Sequence, residues 1–175
     1  MSNQSAYLEK HIRAIPDWPV KGVLFRDITP LLADAAAFKA AFDAMTAPFI
    51  GQKVDYIVAV ESRGFIFGSA IAEKLNAGFV PIRKKGKLPF KTKGITYDLE
   101  YGSDTIEIHA DAFGKGAKVL LVDDLLATGG TMAAAAQLVE KLGGEVVGIT
   151  FLIELGFLHG RDKLSSYNIK TVITY

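Results

Sequence analysis

The 175-residue sequence contains no cysteine, which excludes disulfide bonds, thiolate metal sites and cysteine nucleophiles. Long hydrophobic runs are also missing. The N-terminal segment lacks the apolar stretch of a secretory signal, and the uncharged residues 125–139 are fewer than the roughly 20 apolar residues that span a bilayer. A net charge of +1 gives no bulk attraction to nucleic acid. We therefore expect a cytoplasmic protein that binds neither membranes nor nucleic acid.

Short apolar segments alternate with helical patterns along most of the chain. Strands are predicted at residues 55–60, 79–83, 118–124 and 145–153, and helices at 65–75 and 131–142. This alternation predicts one α/β domain, residues 1–175, with a mostly parallel sheet that helices cover on both faces.

Two regions depart from the alternation. The N-terminal region is predicted to hold a helix at residues 5–14, an irregular segment at 17–30 and a second helix capped by Asp34. A lysine-rich loop at 84–94 is followed by two segments with partial alternation, 95–101 and 105–109, which predict a hairpin.

The strongest motif is the segment 119–131, VLLVDDLLATGGT. A buried strand carries Asp123 and Asp124 to its carboxyl end, where ligands bind in open α/β sheets. Five small residues then form the turn onto the next helix: Ala127, Thr128, Gly129, Gly130 and Thr131. The glycines leave backbone N–H groups uncovered, the threonines add hydroxyl donors and the helix dipole adds positive charge, so the turn suits a phosphate.

Carboxylates beside a phosphate site suit sugar hydroxyls, or a metal ion that bridges to them. A phosphate and a polyol side by side indicate a phosphorylated sugar as the ligand. The P-loop pattern GxxxxGK[ST] and the dinucleotide pattern GxGxxG are both missing from the sequence, which excludes those two readings.

This motif resembles the loop that binds phosphoribosyl pyrophosphate (PRPP) in the type I phosphoribosyltransferases. Its form LLVDDLLATGGT is similar to that of the adenine phosphoribosyltransferases, and residues 15–30, 61–65, 82–89 and 97–102 match the same family in the same order. The resemblance implies a central, mostly parallel sheet flanked by helices. It also implies a small N-terminal hood at about residues 1–34 and a flexible hairpin flap at about residues 84–106.

The implied reaction is purine salvage, in which adenine and PRPP give AMP and pyrophosphate through an oxocarbenium-like transition state. Asp123 and Asp124 would then face the ribose hydroxyls, and the turn 127–131 would hold the 5′-phosphate. Arg63 would bind pyrophosphate and act as a catalytic residue, because guanidinium pairs bidentately with phosphate oxygens. Three cations of the flap match the family's positions and would close over the leaving group: Arg83, Lys84 and Lys87.

The resemblance also implies how the base is held. Phe25 would stack on adenine, while backbone groups near Leu24 and Arg26 would read its edge. Glu100, the second catalytic residue, would accept the purine N–H proton, with Tyr101 beside it on the flap. The residues alone leave alternatives open, because Phe25 equally suits a buried position in a loop and Glu100 an exposed position on a strand.

Mg²⁺ is the expected cofactor, and we expect PRPP rather than a protein-only site to hold most of its ligands. The expected partners are adenine, PRPP, AMP and pyrophosphate, and the resemblance implies a homodimer. Three alternatives remain: another purine such as hypoxanthine or guanine, a regulator that binds PRPP without turnover, and a nucleotide-binding subunit of a larger assembly. The presence of Arg63, Glu100 and the basic flap favours an enzyme.

Overall fold

The computed structural model describes residues 3–98 and 102–175, which divide into two compact units, Met1–Ala44 and Met45–Tyr175. The predicted hood falls entirely within the first unit. The first unit contains, in order, α1 (Asn3–Glu9), β1 (Arg13–Pro16), β2 (Leu24–Asp27), α2 (Thr29–Ala33) and most of α3 (Ala35–Thr46). No helix within the described residues has the length and apolarity needed to cross a membrane.

The first unit begins differently from the sequence prediction. The helix predicted at 5–14 ends at Glu9, and Arg13–Pro16 form a strand that pairs antiparallel with Leu24–Asp27, inside the segment predicted to be irregular. Pairing with another strand outweighs local helical periodicity. The residue pattern of 13–16 alone gives no information about that partner strand. The predicted cap is confirmed, because Asp34 Oδ1 accepts a 2.8 Å hydrogen bond from the N–H of Ala37.

The second unit is built on a seven-stranded sheet in the order β5-β6-β4-β3-β7-β8-β9. Its strands are β3 (Tyr56–Val60), β4 (Gly78–Lys84), β5 (Thr92–Asp98), β6 (Ser103–His109), β7 (Lys118–Leu126), β8 (Glu145–Glu154) and β9 (Ile169–Thr174). Its helices are α4 (Gly64–Leu75) and α5 (Gly130–Lys141), with 3₁₀ turns at Ala47–Phe49, Gly156–Leu158 and Gly160–Leu164. Among the described strands of this sheet, β6 alone runs against the others: it pairs antiparallel with β4 and, as a hairpin, with β5. The other pairs are parallel, so the predicted mostly parallel sheet and the predicted hairpin are both confirmed.

Helices α4 and α5 cover opposite faces of this sheet. Ala59 of β3 lies against Gly68 of α4, whereas its neighbour Val58 belongs to the same buried cluster as Leu138 of α5. Successive residues of a strand face opposite sides, so one helix lies on each side.

The chain leaves β3 through α4 toward β4 and leaves β7 through α5 toward β8, in opposite directions along the sheet. Where the strand order reverses in this way, a crevice opens outside the carboxyl ends of the two central strands. The fold therefore predicts a functional site at the ends of β3 and β7.

Candidate functional site

The crevice at the ends of β3 and β7 contains a cleft of about 310 Å³. Polar side chains from both strand ends and from the hairpin line it, among them Glu61, Arg63, Lys84, Asp104, Asp123 and Asp124. A second cavity of about 80 Å³ is lined by residues 127–131, which we call the glycine loop. Asp123 and Thr131 line both cavities. The structure therefore places the predicted carboxylates between the glycine loop and the turn that carries Arg63.

The backbone of Gly160 packs directly beneath the glycine loop and forms its floor. Gly129 adopts a left-handed conformation with φ of 78°, and a Cβ added there would lie 2.3 Å from the carbonyl oxygen of Gly160. A Cβ added to Gly160 would lie 2.1 Å from the carbonyl oxygen of Ala127. Because Gly129 is also the N-cap of the twelve-residue α5 and has no side chain, the first N–H groups of that helix are left for an anion.

The two carboxyl groups differ in their surroundings. Asp124 is only 4% exposed, and its Oδ2 lies 2.8 Å from Nε of Arg63. Asp123 is half-buried, and its Oδ1 accepts a 2.9 Å hydrogen bond from the N–H of Asp124. Burial raises the pKa of both carboxyls; the charge of Asp124 raises that of Asp123 further, while the Arg63 guanidinium opposes the rise at Asp124. The oxygens of the pair can accept hydrogen bonds from hydroxyl groups of a ligand in the cleft.

Glu61, for which no role was predicted, pairs with two of the predicted flap cations. Its Oε2 accepts a 2.8 Å hydrogen bond from Nε of Arg83, and its Oε1 accepts one of 2.9 Å from Nζ of Lys87. Burial raises the pKa of Glu61, but the hydrogen bonds from Lys87 and Arg83 outweigh that effect and bring it to about 2. Lys84 Nζ pairs with Asp104 Oδ2 at 2.9 Å. The cations at the cleft are thus paired with carboxylates of the protein itself.

We expect Glu61→Gln to lower the free energy of unfolding by about 1 kcal/mol at neutral pH, because the amide cannot make the charge-assisted bonds and because solvent reaches its partners. The pKa of about 2 in the folded protein lies below the ordinary value of 4.5. The stabilisation is therefore complete above pH 4.5 and is lost as the pH falls toward 2.

Urea denaturation of both proteins between about pH 7 and pH 3 measures this difference. Glu145→Gln serves as the control, because the Glu145 side chain is 61% exposed and its pairing with Lys118 should contribute little. A Glu61→Gln effect that stays constant throughout this pH range would contradict the prediction.

The predicted base-binding residues lie in the first unit. Leu24, Phe25 and Arg26 are consecutive residues of β2, and the half-buried Phe25 ring packs edge-on against Trp18 with ring centroids 4.3 Å apart. Their contact with a purine stays a prediction. Glu100 and Tyr101 lie outside the described residues, so their roles also stay predictions.

The structure adds a contact between the hairpin and the glycine loop. The Thr131 hydroxyl donates a 3.1 Å hydrogen bond to the Tyr97 hydroxyl. Tyr97 belongs to a segment that resembled the family, but without a role for its hydroxyl. No sequence signal linked Gly160 to the glycine loop.

The carboxylates of the cleft are also candidate ligands for a metal ion. Among residues 3–98 and 102–175, no three His, Cys, Asp or Glu side chains are grouped so that they could hold a metal ion. The carboxylate oxygens of Asp123 and Asp124 are of the kind that Mg²⁺ prefers, and this ion keeps several of its ligands as water or substrate oxygens. The pair therefore suits a Mg²⁺ ion whose other ligands come from a phosphorylated substrate.

The chain is similar to known proteins over most of its length. Residues 27–174 match the model of the phosphoribosyl transferase domain. The chain is 58% identical over 168 residues to an adenine phosphoribosyltransferase of Pseudothermotoga lettingae, covering 96% of this chain and 99% of the relative.

The fold is likewise similar to solved structures. The adenine phosphoribosyltransferase of Thermoanaerobacter pseudethanolicus superposes with a TM-score of 0.94 at 52% identity, over 97% of this chain and 99% of the other. The enzyme of Saccharomyces cerevisiae, complexed with adenine and D-2,5-dideoxy-2,5-imino-altritol 1,6-bisphosphate, superposes with a TM-score of 0.92 at 41% identity. The match covers 98% of this chain and 99% of the yeast chain. The similarity to these enzymes, in both sequence and fold, thus extends over nearly the whole chain.

Proposed function

The chain belongs to the adenine phosphoribosyltransferases, within the family of the phosphoribosyl transferase domain, and we infer that its cleft joins adenine to the ribose of PRPP. The products are AMP and pyrophosphate, so the reaction serves purine salvage. The observation that carries this conclusion is the position of Asp123 and Asp124: one lines the glycine-loop cavity and the other pairs with Arg63. PRPP has the matching order of groups, with a phosphate, a hydroxylated ring and a pyrophosphate.

We assign the parts of PRPP as follows. The N–H groups of the glycine loop hold the 5′-phosphate, Asp123 and Asp124 accept hydrogen bonds from the ribose hydroxyls, and Arg63 binds the pyrophosphate. Support comes from the two adjoining cavities, which share the wall formed by Asp123 and Thr131.

In the reaction, the bond between C1′ and the pyrophosphate oxygen breaks and its electron pair leaves with pyrophosphate. N9 of adenine supplies the pair for the new bond to C1′ and loses its proton, for which Glu100 is the proposed acceptor. Positive charge develops on the ribose ring near the two aspartates, and the geometry of the cleft holds the reactants for this step. Phe25, Leu24 and Arg26 are the proposed adenine contacts, and Tyr101 is proposed to act beside Glu100.

The cations Arg83, Lys84 and Lys87 are proposed to serve the leaving group. Each is engaged by Glu61 or Asp104 in this structure, at distances of 2.8 to 2.9 Å. Pyrophosphate carries more negative charge than either carboxylate, so it can compete for these side chains as it forms.

We further propose that Mg²⁺ enters mainly on PRPP, where it neutralises charge on the phosphates. A homodimer is proposed from the family relationship, and light scattering of the purified protein tests it. A cytoplasmic location is proposed because the reaction uses free adenine and phosphorylated metabolites.

The decisive assay offers adenine, hypoxanthine and guanine separately with PRPP and Mg²⁺. We expect a monophosphate product from adenine alone, and Arg63→Ala should lower the rate at least about tenfold because a charge-assisted contact to the substrate is lost. Lys53→Ala removes an exposed cation that pairs with Asp55 at 3.8 Å and should change nothing.

Two other results of this assay would contradict the proposal, each in a different part. Turnover of hypoxanthine or guanine in place of adenine would refute the base assignment and keep the PRPP site. PRPP binding without turnover of any base would favour a regulator.

A further inference from the structure

The 3₁₀ turn Gly160–Leu164 forms the floor of the glycine loop. The added-Cβ distances of 2.1 and 2.3 Å show that the backbones of Gly160, Ala127 and Gly129 are already in contact, with no room for a side chain between them. The position of Gly160 therefore fixes the position of the loop.

Gly160 is followed directly by Arg161, whose guanidinium is held at both ends of its fork. Nε donates to Glu154 Oε1 at 2.7 Å, and one terminal nitrogen donates to Glu154 Oε2 at 2.8 Å and to Thr171 Oγ1 at 3.0 Å. Burial raises the pKa of Glu154, but the hydrogen bonds from Arg161 and Thr171 outweigh it and the pKa is lowered. This is a bidentate pair with a mostly buried carboxylate, of which only 8% of the side chain is exposed.

Glu154 is itself fixed beside the start of the glycine loop. It is the last residue of β8 and lies opposite Leu126, the last residue of β7. The N–H of Leu155 donates to the carbonyl of Leu126 at 2.9 Å, and the N–H of Tyr175 donates to the carbonyl of Glu154 at 2.9 Å. Because Ala127 follows Leu126, Arg161 connects the floor of the loop to the strand pair from which the loop emerges.

We propose that Arg161 and Glu154 are a positioning pair for the 5′-phosphate of PRPP. Their ion pair holds the backbone of Gly160 against residues 127–129 and thereby fixes the N–H groups that face the phosphate. The inference rests on the proposed function, since it takes the glycine loop as the phosphate site.

We expect Arg161→Gln to raise KM for PRPP about tenfold, because a fork with two charge-assisted bonds is lost and the loop is less well held. KM for adenine should stay within about twofold, since adenine does not use this loop. The dissociation constant of ribose 5-phosphate, measured by calorimetry without adenine, should rise by a factor similar to that of KM for PRPP. Arg161→Lys keeps the positive charge but cannot form the bidentate pair with Glu154. It should give a KM for PRPP between those of the wild type and Arg161→Gln.

Glu154→Gln should act in the same direction, and combining it with Arg161→Gln should be no worse than the more severe single change, since both remove one interaction. The matched control is Glu145→Gln, which breaks the pair with Lys118 at the opposite end of the same two strands and should leave both KM values unchanged.

Two results would overturn the inference alone. One is a parallel rise of KM for PRPP and adenine in Arg161→Lys. The other is a lower melting temperature in the Arg161 variants with wild-type affinity for ribose 5-phosphate. If the wild-type protein binds no ribose 5-phosphate, the proposed function fails and this inference fails with it.

Discussion

Gly160→Ala is expected to lower kcat/KM for PRPP by about a hundredfold or more, because a displacement of about 1 Å in a positioned group can cost that much. The new Cβ would lie 2.1 Å from the carbonyl oxygen of Ala127, and the atom it meets is backbone. Either the glycine loop or the turn at Gly160 must therefore shift, and the contact between them is lost in both cases. Initial rates at saturating adenine and varied PRPP measure the effect, which should fall mainly on KM for PRPP.

Gly156→Ala provides the matched control for this substitution. It adds the same methyl group in the preceding 3₁₀ turn, where the nearest atoms are 3.4 Å away, an ordinary contact. We expect its kcat/KM to stay within about threefold of wild type. Wild-type kinetics in a folded Gly160→Ala protein would show that the loop is not held by this contact.

The sequence predicted the central part of the fold because the relevant signals are local. The apolar run of β7 ends in Asp123 and Asp124, and small residues follow at the start of α5, so one continuous segment specifies strand, carboxylates and turn. The parallel order of the sheet places the end of β3, with Arg63, next to that segment. The position at a strand end made Arg63 a candidate for the same site as the two aspartates, and the family resemblance supplied its predicted role.

What the sequence did not predict depends on contacts between distant segments. Gly160 is about thirty residues from Gly129, and only the folded chain brings their backbones together. Glu61 likewise becomes a counter-charge only when β4 lies beside β3 and brings Arg83 within 2.8 Å. The first two residues of strand β1, Arg13 and Ala14, were predicted as helix for a similar reason, since their partners in β2 lie beyond the turn at residues 17–23.

Asp124→Asn is expected to lower kcat/KM about a hundredfold to a thousandfold, the cost of removing one preorganised electrostatic group from an active site. The substitution keeps the size of the side chain, so packing should be preserved at a residue that is only 4% exposed. It removes the charge that pairs with Arg63 at 2.8 Å. In the proposed reaction this charge lies near the positive charge that develops on the ribose. Steady-state rates with PRPP and adenine, together with thermal unfolding, separate loss of activity from loss of folding.

A control variant and a double variant test whether the effect is specific to Asp124. Asp55→Asn alters a carboxylate at the opposite end of the sheet, where its Oδ2 accepts a 2.8 Å hydrogen bond from the N–H of Lys118, and should leave kcat/KM within about threefold. If Asp124 acts partly by orienting Arg63, then Arg63→Ala combined with Asp124→Asn should cost less than the sum of the two single changes in free energy. Strictly additive changes in free energy would indicate that the two residues contact PRPP independently. If Asp124→Asn keeps kcat/KM within about tenfold of wild type, the aspartate does not belong to the proposed ribose site.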